Sequence, residues 1–143
     1  MSPQDKEVYI ARAEIAFGTD TQHTGISYNI FFSGCSKSAK CEGCHNPSLW
    51  QRDEDTKIAL SIACDSIRQN ADMIDAVVLL GGEPLDQPEA VIVLSQVARE
   101  LGKKVWLYTG RAMAEVSDEI RAVSDNILSG EYTPNMAKIV WRG

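Results

Sequence analysis

Three of the four cysteines in the sequence lie close together, at Cys35, Cys41 and Cys44. Their spacing is C-x5-C-x2-C, and two thiolates three positions apart can converge on one metal when the chain between them turns. Closed structural zinc sites take four protein ligands, and so do closed cubane iron–sulfur clusters. Three thiolates without a close fourth therefore indicate a metal centre with one open position, where chemistry can occur.

Structural zinc with a histidine as the fourth ligand is the alternative interpretation of this loop. His45 follows Cys44 directly and is geometrically awkward as a ligand of the same metal, whereas His23 lies twelve residues before Cys35 and could reach it. The remaining cysteine, Cys64, lies on the apolar stripe of a predicted helix. A buried and inert thiol is expected there.

A second chemical feature is the sequence GGEP at residues 81–84, directly after an apolar run. Glycines let the backbone approach a ligand closely. Glu83 could pair with an ammonium group, while backbone groups of Gly81 and Gly82 hold polar atoms nearby. Alone, the pattern also fits an ordinary strand-to-helix turn. Beside a loop with three thiolates, it favours a cradle for a zwitterion.

The sequence YTGR at residues 108–111 is a weaker signal of the same kind. Thr109 and Gly110 could line the same site, although a plain turn explains the pattern equally well. The three tryptophans are interpreted as packing residues rather than as a stacking platform for a ligand. They are Trp50, Trp106 and Trp141.

Hydrophobic periodicity predicts the strands and helices that must position these features. Alternating or continuous apolar runs predict strands over residues 7–16, 26–33, 76–80, 104–110, 126–130 and 138–141. Apolar residues at helical spacing predict helices over residues 55–70, 88–101 and 112–123. Asp55 is the expected cap of the first helix, Pro88 suits the first turn of the second, and Gly102 ends it.

Alternation of helices and strands along most of the chain predicts an α/β fold with a mostly parallel sheet and right-handed crossovers. Ligands of such sheets lie beyond the carboxyl ends of the strands. The cysteine loop, GGEP and YTGR each follow a predicted strand. We therefore expect the three to lie along one edge of the sheet and to form one site.

Composition limits the classes of function. The chain has 143 residues, 44% of them hydrophobic and 24% charged, which fits a single globular domain over residues 1–143. Its net charge of −6, without a cluster of basic residues, argues against a nucleic-acid partner. There is neither a signal-peptide pattern nor an apolar run long enough to span a membrane. We therefore expect a cytoplasmic protein, in which cysteines serve metal binding or catalysis rather than disulfides.

Taken together, the motifs resemble those of the radical S-adenosylmethionine enzymes. More narrowly, they resemble the activating proteins of anaerobic (class III) ribonucleotide reductases. The similarity runs from about Gly25 to Gly143 in family order. It is carried by the stretches GISYNIFFSGCSKSAKCEGCHNPSLW, LLGGEPL, KKVWLYTGR and IVWRG.

The resemblance implies a partial, open (β/α) barrel and a [4Fe–4S] cluster with three irons bound by Cys35, Cys41 and Cys44. The amino and carboxylate groups of S-adenosylmethionine would bind the fourth iron, and the turn at residues 81–84 would contact the methionine ammonium group. Reductive cleavage would give a 5′-deoxyadenosyl radical that takes hydrogen from a glycine Cα. The implied partners are the large subunit of an anaerobic ribonucleotide reductase and a low-potential electron donor such as flavodoxin or ferredoxin.

The chain departs from the family pattern at three places. The family spacing is C-x3-C-x2-C, so the segment from Ser36 to Lys40 is two residues longer here. Ser27 stands where many relatives have arginine, and residues 129–131 read Ser-Gly-Glu where many have Asp-Gly-Lys. We assign no role to Ser129 or Glu131.

Two other functions compete with an activating enzyme. A small radical S-adenosylmethionine enzyme that acts on a small molecule, such as a deazapurine-forming synthase, could carry the altered cysteine spacing. Chains of that kind are generally longer and lack the CHNPSLW ending of the loop. A non-enzymatic zinc-binding module would use the three clustered cysteines with His23, but it leaves GGEP unexplained.

Overall fold

A seven-stranded mixed sheet forms the centre of the computed structural model, which describes residues 7–17, 25–34, 57–129 and 139–142. The strands are β1 (Glu7–Phe17), β2 (Ile26–Phe32), β3 (Lys57–Ala59), β4 (Ala76–Gly81), β5 (Lys104–Tyr108), β6 (Asn126–Ser129) and β7 (Ile139–Arg142). The helices are α1 (Leu60–Asn70), α2 (Pro88–Glu100) and α3 (Asp118–Val123), with short 3₁₀ helices at Ala71–Met73, Pro84–Asp86 and Met113–Glu115.

The strands lie in the spatial order β3-β1-β2-β4-β5-β6-β7. The four neighbours β2, β4, β5 and β6 are parallel. At the two edges, β1 pairs antiparallel with both β2 and β3, and β7 pairs antiparallel with β6. The predicted α/β class is confirmed, and the predicted parallel arrangement describes the centre of the sheet. Because the central strands are parallel, the carboxyl ends of β2, β4 and β5 lie side by side along the same end of the sheet.

One hydrophobic cluster joins all three helices to the sheet. Alternate residues of the buried strands point into it, as the two-residue period of a strand requires. Fully buried members include Leu79 from β4 and Leu94 from α2. Each such side chain stabilises the fold by roughly 1.5–3 kcal/mol relative to exposure. This packing holds the central strands, and therefore their carboxyl ends, in fixed positions.

A smaller cluster lies on the other face of the same strands. It contains Ala76, Val78, Trp106 and Leu128, with Leu80 and Tyr108 half-buried at its margin. Trp106 is therefore a packing residue, as predicted, while Trp50 and the side chain of Trp141 lie outside what the structure describes. No described helix contributes to this cluster, which makes the two faces of the sheet unlike.

The helix predicted over residues 55–70 is partly wrong. Residues Lys57–Ala59 form strand β3, which pairs with Glu7 to Tyr9 of β1, and the helix begins at Leu60. Its N-cap, Ala59, provides no side-chain hydrogen bond, and the predicted cap Asp55 lies outside the described residues. Backbone pairing with β1 outweighs the local helical period, because a strand partner satisfies polar groups that an edge would leave unpaired.

The helix predicted over residues 112–123 is also wrong in its first half. Met113–Glu115 is a 3₁₀ helix, Val116 is extended, and α3 begins after Ser117. The hydroxyl of Ser117 accepts a hydrogen bond from the backbone N–H of Ile120 at 3.3 Å. A serine that caps a helix in this way starts a new helix rather than continuing the preceding turn.

None of the helices in the described part of the chain is long and apolar enough to cross a membrane.

Gly81→Ala should destabilise the protein by about 2–4 kcal/mol, because a Cβ adds both backbone strain and a steric clash. Gly81 has φ +111°, and an added Cβ would lie 2.4 Å from the backbone nitrogen of Phe32. The free energy of unfolding, measured by urea denaturation, tests this expectation.

Gly102→Ala is the matched control. Gly102 also has positive φ (+77°), but an added Cβ would meet nothing within 4 Å. Only the strain term applies, so the expected loss is about 1–2 kcal/mol. Equal losses in the two variants would contradict the close approach of β4 to β2.

Candidate functional site

The end of β2 and the turn after β4 are joined by backbone hydrogen bonds. The N–H of Gly82 donates to the carbonyl of Phe32 at 2.8 Å, and the N–H of Glu83 donates to the carbonyl of Gly34 at 2.7 Å. Gly34 has φ +99°, a conformation that favours glycine. The residue directly before Cys35 therefore contacts the GGEP turn, as the prediction of a shared edge requires.

The predicted ligands Cys35, Cys41 and Cys44 lie outside the described residues, as do His23 and His45. Their assignment as metal ligands therefore stays a prediction. Within the described ranges, no group of three or more His, Cys, Asp or Glu side chains is arranged to hold a metal ion.

The carboxylate of Glu83 joins the turn after β4 to the loop after β5. Its Oε2 accepts hydrogen bonds from the hydroxyl of Thr109 at 2.7 Å and from the N–H of Leu85 at 3.0 Å. Its Oε1 accepts from the N–H of Gly110 at 2.8 Å. Glu83 and Thr109 are each only 1% exposed. The structure thus confirms that GGEP and YTGR meet, and it shows the side chain that joins them.

Glu83 also starts the 3₁₀ helix Pro84–Asp86. It is the N-cap residue, and Pro84 at the first position has its φ already restricted to a helical value. The bond from Leu85 is therefore a capping bond, in which a carboxylate accepts from an otherwise unpaired N–H. The local capping bond from Leu85 and the tertiary bonds from Thr109 and Gly110 therefore hold the carboxylate in the same position.

This buried carboxylate has three neutral donors and no ion-pair partner among the described residues. Burial of a charge is costly, and hydrogen bonds offset only part of that cost. A positive charge bound nearby would offset more of it. Because both carboxylate oxygens already accept protein hydrogen bonds and Glu83 is 1% exposed, the backbone of Gly81 and Gly82 is better placed than this side chain to touch a ligand.

A second link between the same two loops is the ion pair of Asp86 with Arg111, at 2.5 Å between Oδ1 and a guanidinium nitrogen. Arg111 also donates its backbone N–H to the hydroxyl of Thr109 at 3.1 Å. Sequence reasoning assigned no role to either residue of this pair. The sequence did contain a signal for this ion pair, because Asp86 and Arg111 carry opposite charges and follow the neighbouring parallel strands β4 and β5.

Gln87 is a further residue that sequence reasoning missed. Its side-chain carbonyl accepts from the N–H of Tyr9 at 2.8 Å, and its amide group donates to the carbonyl of Tyr9 at 3.1 Å. The same amide lies 3.4 Å from the carbonyl of Ser33. Gln87 thereby ties the start of α2 to β1 and to the end of β2. No pattern in the sequence marks it.

Ser27, which stands at the position of the family arginine, is fully buried in β2. Its hydroxyl donates to the side-chain oxygen of Asn29, two residues along the strand, at 2.8 Å. Its position is on the sheet face opposite the side chains of Tyr28 and Ile30, which join the cluster packed on the helices. Ser27 therefore serves a local polar contact.

The fold and this strand-end site belong to a chain that matches, over residues 22–143, the family model described as a 4Fe-4S single cluster domain. The class is therefore that of proteins with one iron–sulfur cluster. This match favours a cluster over structural zinc.

Two relatives narrow the class. The chain is 31% identical over 121 residues to the anaerobic ribonucleoside-triphosphate reductase-activating protein of Enterobacteria phage T4. The aligned region covers 80% of this chain and 76% of that protein. It is 28% identical over 136 residues to the protein of the same name from Vibrio cholerae serotype O1, covering 83% of each. The chain belongs to the family of anaerobic ribonucleoside-triphosphate reductase-activating proteins. The family resemblance and the enzyme class predicted from the sequence are thereby confirmed.

Cys64 should resist alkylation in the folded protein. It is fully buried on α1, and burial raises the pKa of its thiol. The thiolate is the reactive form, so at pH 8 its fraction is smaller than for an exposed cysteine. Mass spectrometry of protein treated with iodoacetamide without oxygen, native and denatured, measures the difference. Equal labelling of Cys64 in the two samples would contradict its burial.

Proposed function

We propose that this chain activates an anaerobic ribonucleoside-triphosphate reductase by cleaving S-adenosylmethionine and leaving a glycyl radical on the large subunit. The single observation that carries the proposal is the bond between Glu83 and Gly34. It joins Gly34, the residue directly before Cys35, to the GGEP turn, in a chain of the activating-protein family.

The cysteine loop fits an iron–sulfur cluster in its donor chemistry. Cys35, Cys41 and Cys44 provide three thiolates, the ligand type that such clusters take, and leave one iron for another ligand. Cys35 directly follows Gly34, which is bonded to Glu83, and this sequence neighbourhood supports a cluster beside the turn at residues 81–84. The two additional residues between Cys35 and Cys41 lengthen the loop without removing a ligand.

The turn at residues 81–84 is proposed to bind the methionine part of S-adenosylmethionine. The backbone groups of Gly81 and Gly82 contact its ammonium group, while the 3₁₀ helix that begins at Pro84 holds the turn in shape. The buried negative charge of Glu83 favours the positive ammonium group beside it. Thr109 belongs to the site through its hydrogen bond to Glu83.

The cofactors provide the difficult chemical step, and the protein provides binding and orientation. When bound together, the reduced cluster and S-adenosylmethionine supply a carbon-centred radical that can take a hydrogen atom from a glycine Cα. The residues of this chain must hold the sulfonium in place, exclude water and admit the glycine loop of the partner.

We also propose that the sheet is the wall of a partial, open (β/α) barrel. Residues of all three helices join a single cluster on one face, whereas no described helix contributes to the small cluster around Trp106 on the other face. This asymmetry suits a curved sheet with helices outside. An open side of such a barrel would let a loop of the reductase reach the cofactor.

The proposed partners follow from the reaction. The cluster needs one electron from a low-potential donor such as flavodoxin or ferredoxin, and the radical needs the glycine of the reductase. The net charge of −6 gives no support to binding of nucleic acid. The proposed location is the cytoplasm, where thiols stay reduced.

Reconstitution with iron and sulfide without oxygen tests the proposed function. Reduced protein should give the electron paramagnetic resonance spectrum of a [4Fe–4S] cluster, and S-adenosylmethionine should change that spectrum and yield 5′-deoxyadenosine. Addition of the reductase should then give a glycyl radical signal. Absence of both the cluster and 5′-deoxyadenosine would refute the proposal.

Cys41→Ala should abolish cleavage of S-adenosylmethionine and lower the iron content, because two thiolates hold a cluster poorly. Cys64→Ala is the matched control, since it removes a thiol that is buried on α1. It should keep its iron and most of the activity. Iron analysis and 5′-deoxyadenosine assays of the two variants distinguish the outcomes, and iron loss in Cys64→Ala would show that the ligand set is wrong.

A further inference from the structure

The hydroxyl of Thr109 makes hydrogen bonds to two protein partners. It donates to Oε2 of Glu83 at 2.7 Å and accepts from the backbone N–H of Arg111 at 3.1 Å. A hydroxyl has one donor hydrogen, so Thr109 has none left for a ligand. With 1% of the residue exposed, its side chain is also closed to solvent. Because the side chain is buried and its one hydrogen is donated to Glu83, the route from Thr109 to a bound molecule runs through the Glu83 carboxylate.

Glu83 transmits such an effect because it belongs to the turn itself. Its carboxylate position is set from the β5 side by Thr109 and Gly110, and from its own side by Leu85. Its backbone N–H is bound to Gly34, next to the first predicted cluster ligand. The carboxylate therefore connects the loop after β5 with the turn that faces the cofactor.

We infer that Thr109 is a positioning residue that sets the affinity for S-adenosylmethionine by orienting the Glu83 carboxylate and, with it, the backbone of Gly81 and Gly82. The inference rests on the proposed function of this turn. It differs from direct binding by Thr109, because the hydroxyl acts on a protein oxygen rather than on the cofactor.

Loss of the hydroxyl has a specific consequence. In Thr109→Val, Oε2 of Glu83 keeps only its bond from Leu85, and an apolar methyl group faces the buried carboxylate. A hydrogen bond to a buried charged group is worth enough to change a binding constant about tenfold when it is lost. The carboxylate can then turn away from its position, which weakens the fit of the turn to the ammonium group.

The test compares four reconstituted proteins, without oxygen. They are the unaltered chain, Thr109→Val, Thr109→Ser and Ser124→Ala. Thr109→Ser keeps the hydroxyl. Ser124→Ala removes another buried hydroxyl, which donates to the carbonyl of Ile120 at 2.7 Å. Ser124 lies just before β6 and therefore at the amino ends of the parallel strands, away from the proposed site. Thr109→Ala replaces Thr109→Val if the latter is insoluble.

The dissociation constant for S-adenosylmethionine comes from the change that it causes in the spectrum of the reduced cluster. KM and kcat come from 5′-deoxyadenosine formation, and Tm comes from thermal unfolding. We expect Thr109→Val to raise the dissociation constant and KM about tenfold. We expect kcat to change little and Thr109→Ser to stay within about threefold of the unaltered chain. Ser124→Ala should lower Tm without changing the dissociation constant.

Three results would overturn the inference. Thr109→Val with a lowered Tm but an unaltered dissociation constant would show a structural role only. Thr109→Ser as weak as Thr109→Val would show that the hydroxyl is not the group that matters. An unaltered chain that carries its cluster but does not respond to S-adenosylmethionine would refute the proposed function as well, and the cluster spectrum alone separates this case from the other two.

Discussion

The buried carboxylate of Glu83 is the interaction on which the ends of three strands depend. It lies on the turn after β4 and accepts hydrogen bonds from the loop after β5, while the backbone N–H of Glu83 donates to the carbonyl of Gly34, which follows β2. A buried charge is stable only when donors surround it, so the loop after β5 cannot move away from a carboxylate that stays buried without leaving it short of hydrogen bonds. The ion pair of Asp86 with Arg111 reinforces the link between the same two loops.

The glycines around this carboxylate follow from the close approach of the strands. At Gly81 the backbone of β4 passes so near Phe32 that a Cβ would overlap it, and Gly34 has positive φ where β2 ends. A larger residue at Gly81 would force β4 and β2 apart and disturb the bond from Glu83 to Gly34. The dense core beneath, which contains Leu79 and Leu94, keeps the strands from shifting to relieve such strain.

Local signals that agree with tertiary packing were read correctly from the sequence. The apolar run of β4 and the stripe of α2 appear where periodicity predicted them, because each buries the same residues that define its pattern. The helix predictions at residues 57–59 and 112–117 are wrong because other interactions decide the structure there. Backbone pairing with β1 makes a strand of Lys57–Ala59, and the cap at Ser117 divides the third helix.

The sequence by itself determined the family, and it predicted the chemical parts of the site. Thiolate spacing, the GGEP turn and their order along strands depend on residue type and distance along the chain, which a sequence displays directly. Only the tertiary structure decided that Glu83 and Thr109 face each other, that Arg111 pairs with Asp86, and that Gln87 ties α2 to β1. These partners lie 25 to 78 residues apart. They meet because the parallel core aligns the strand ends, and no local pattern encodes that alignment.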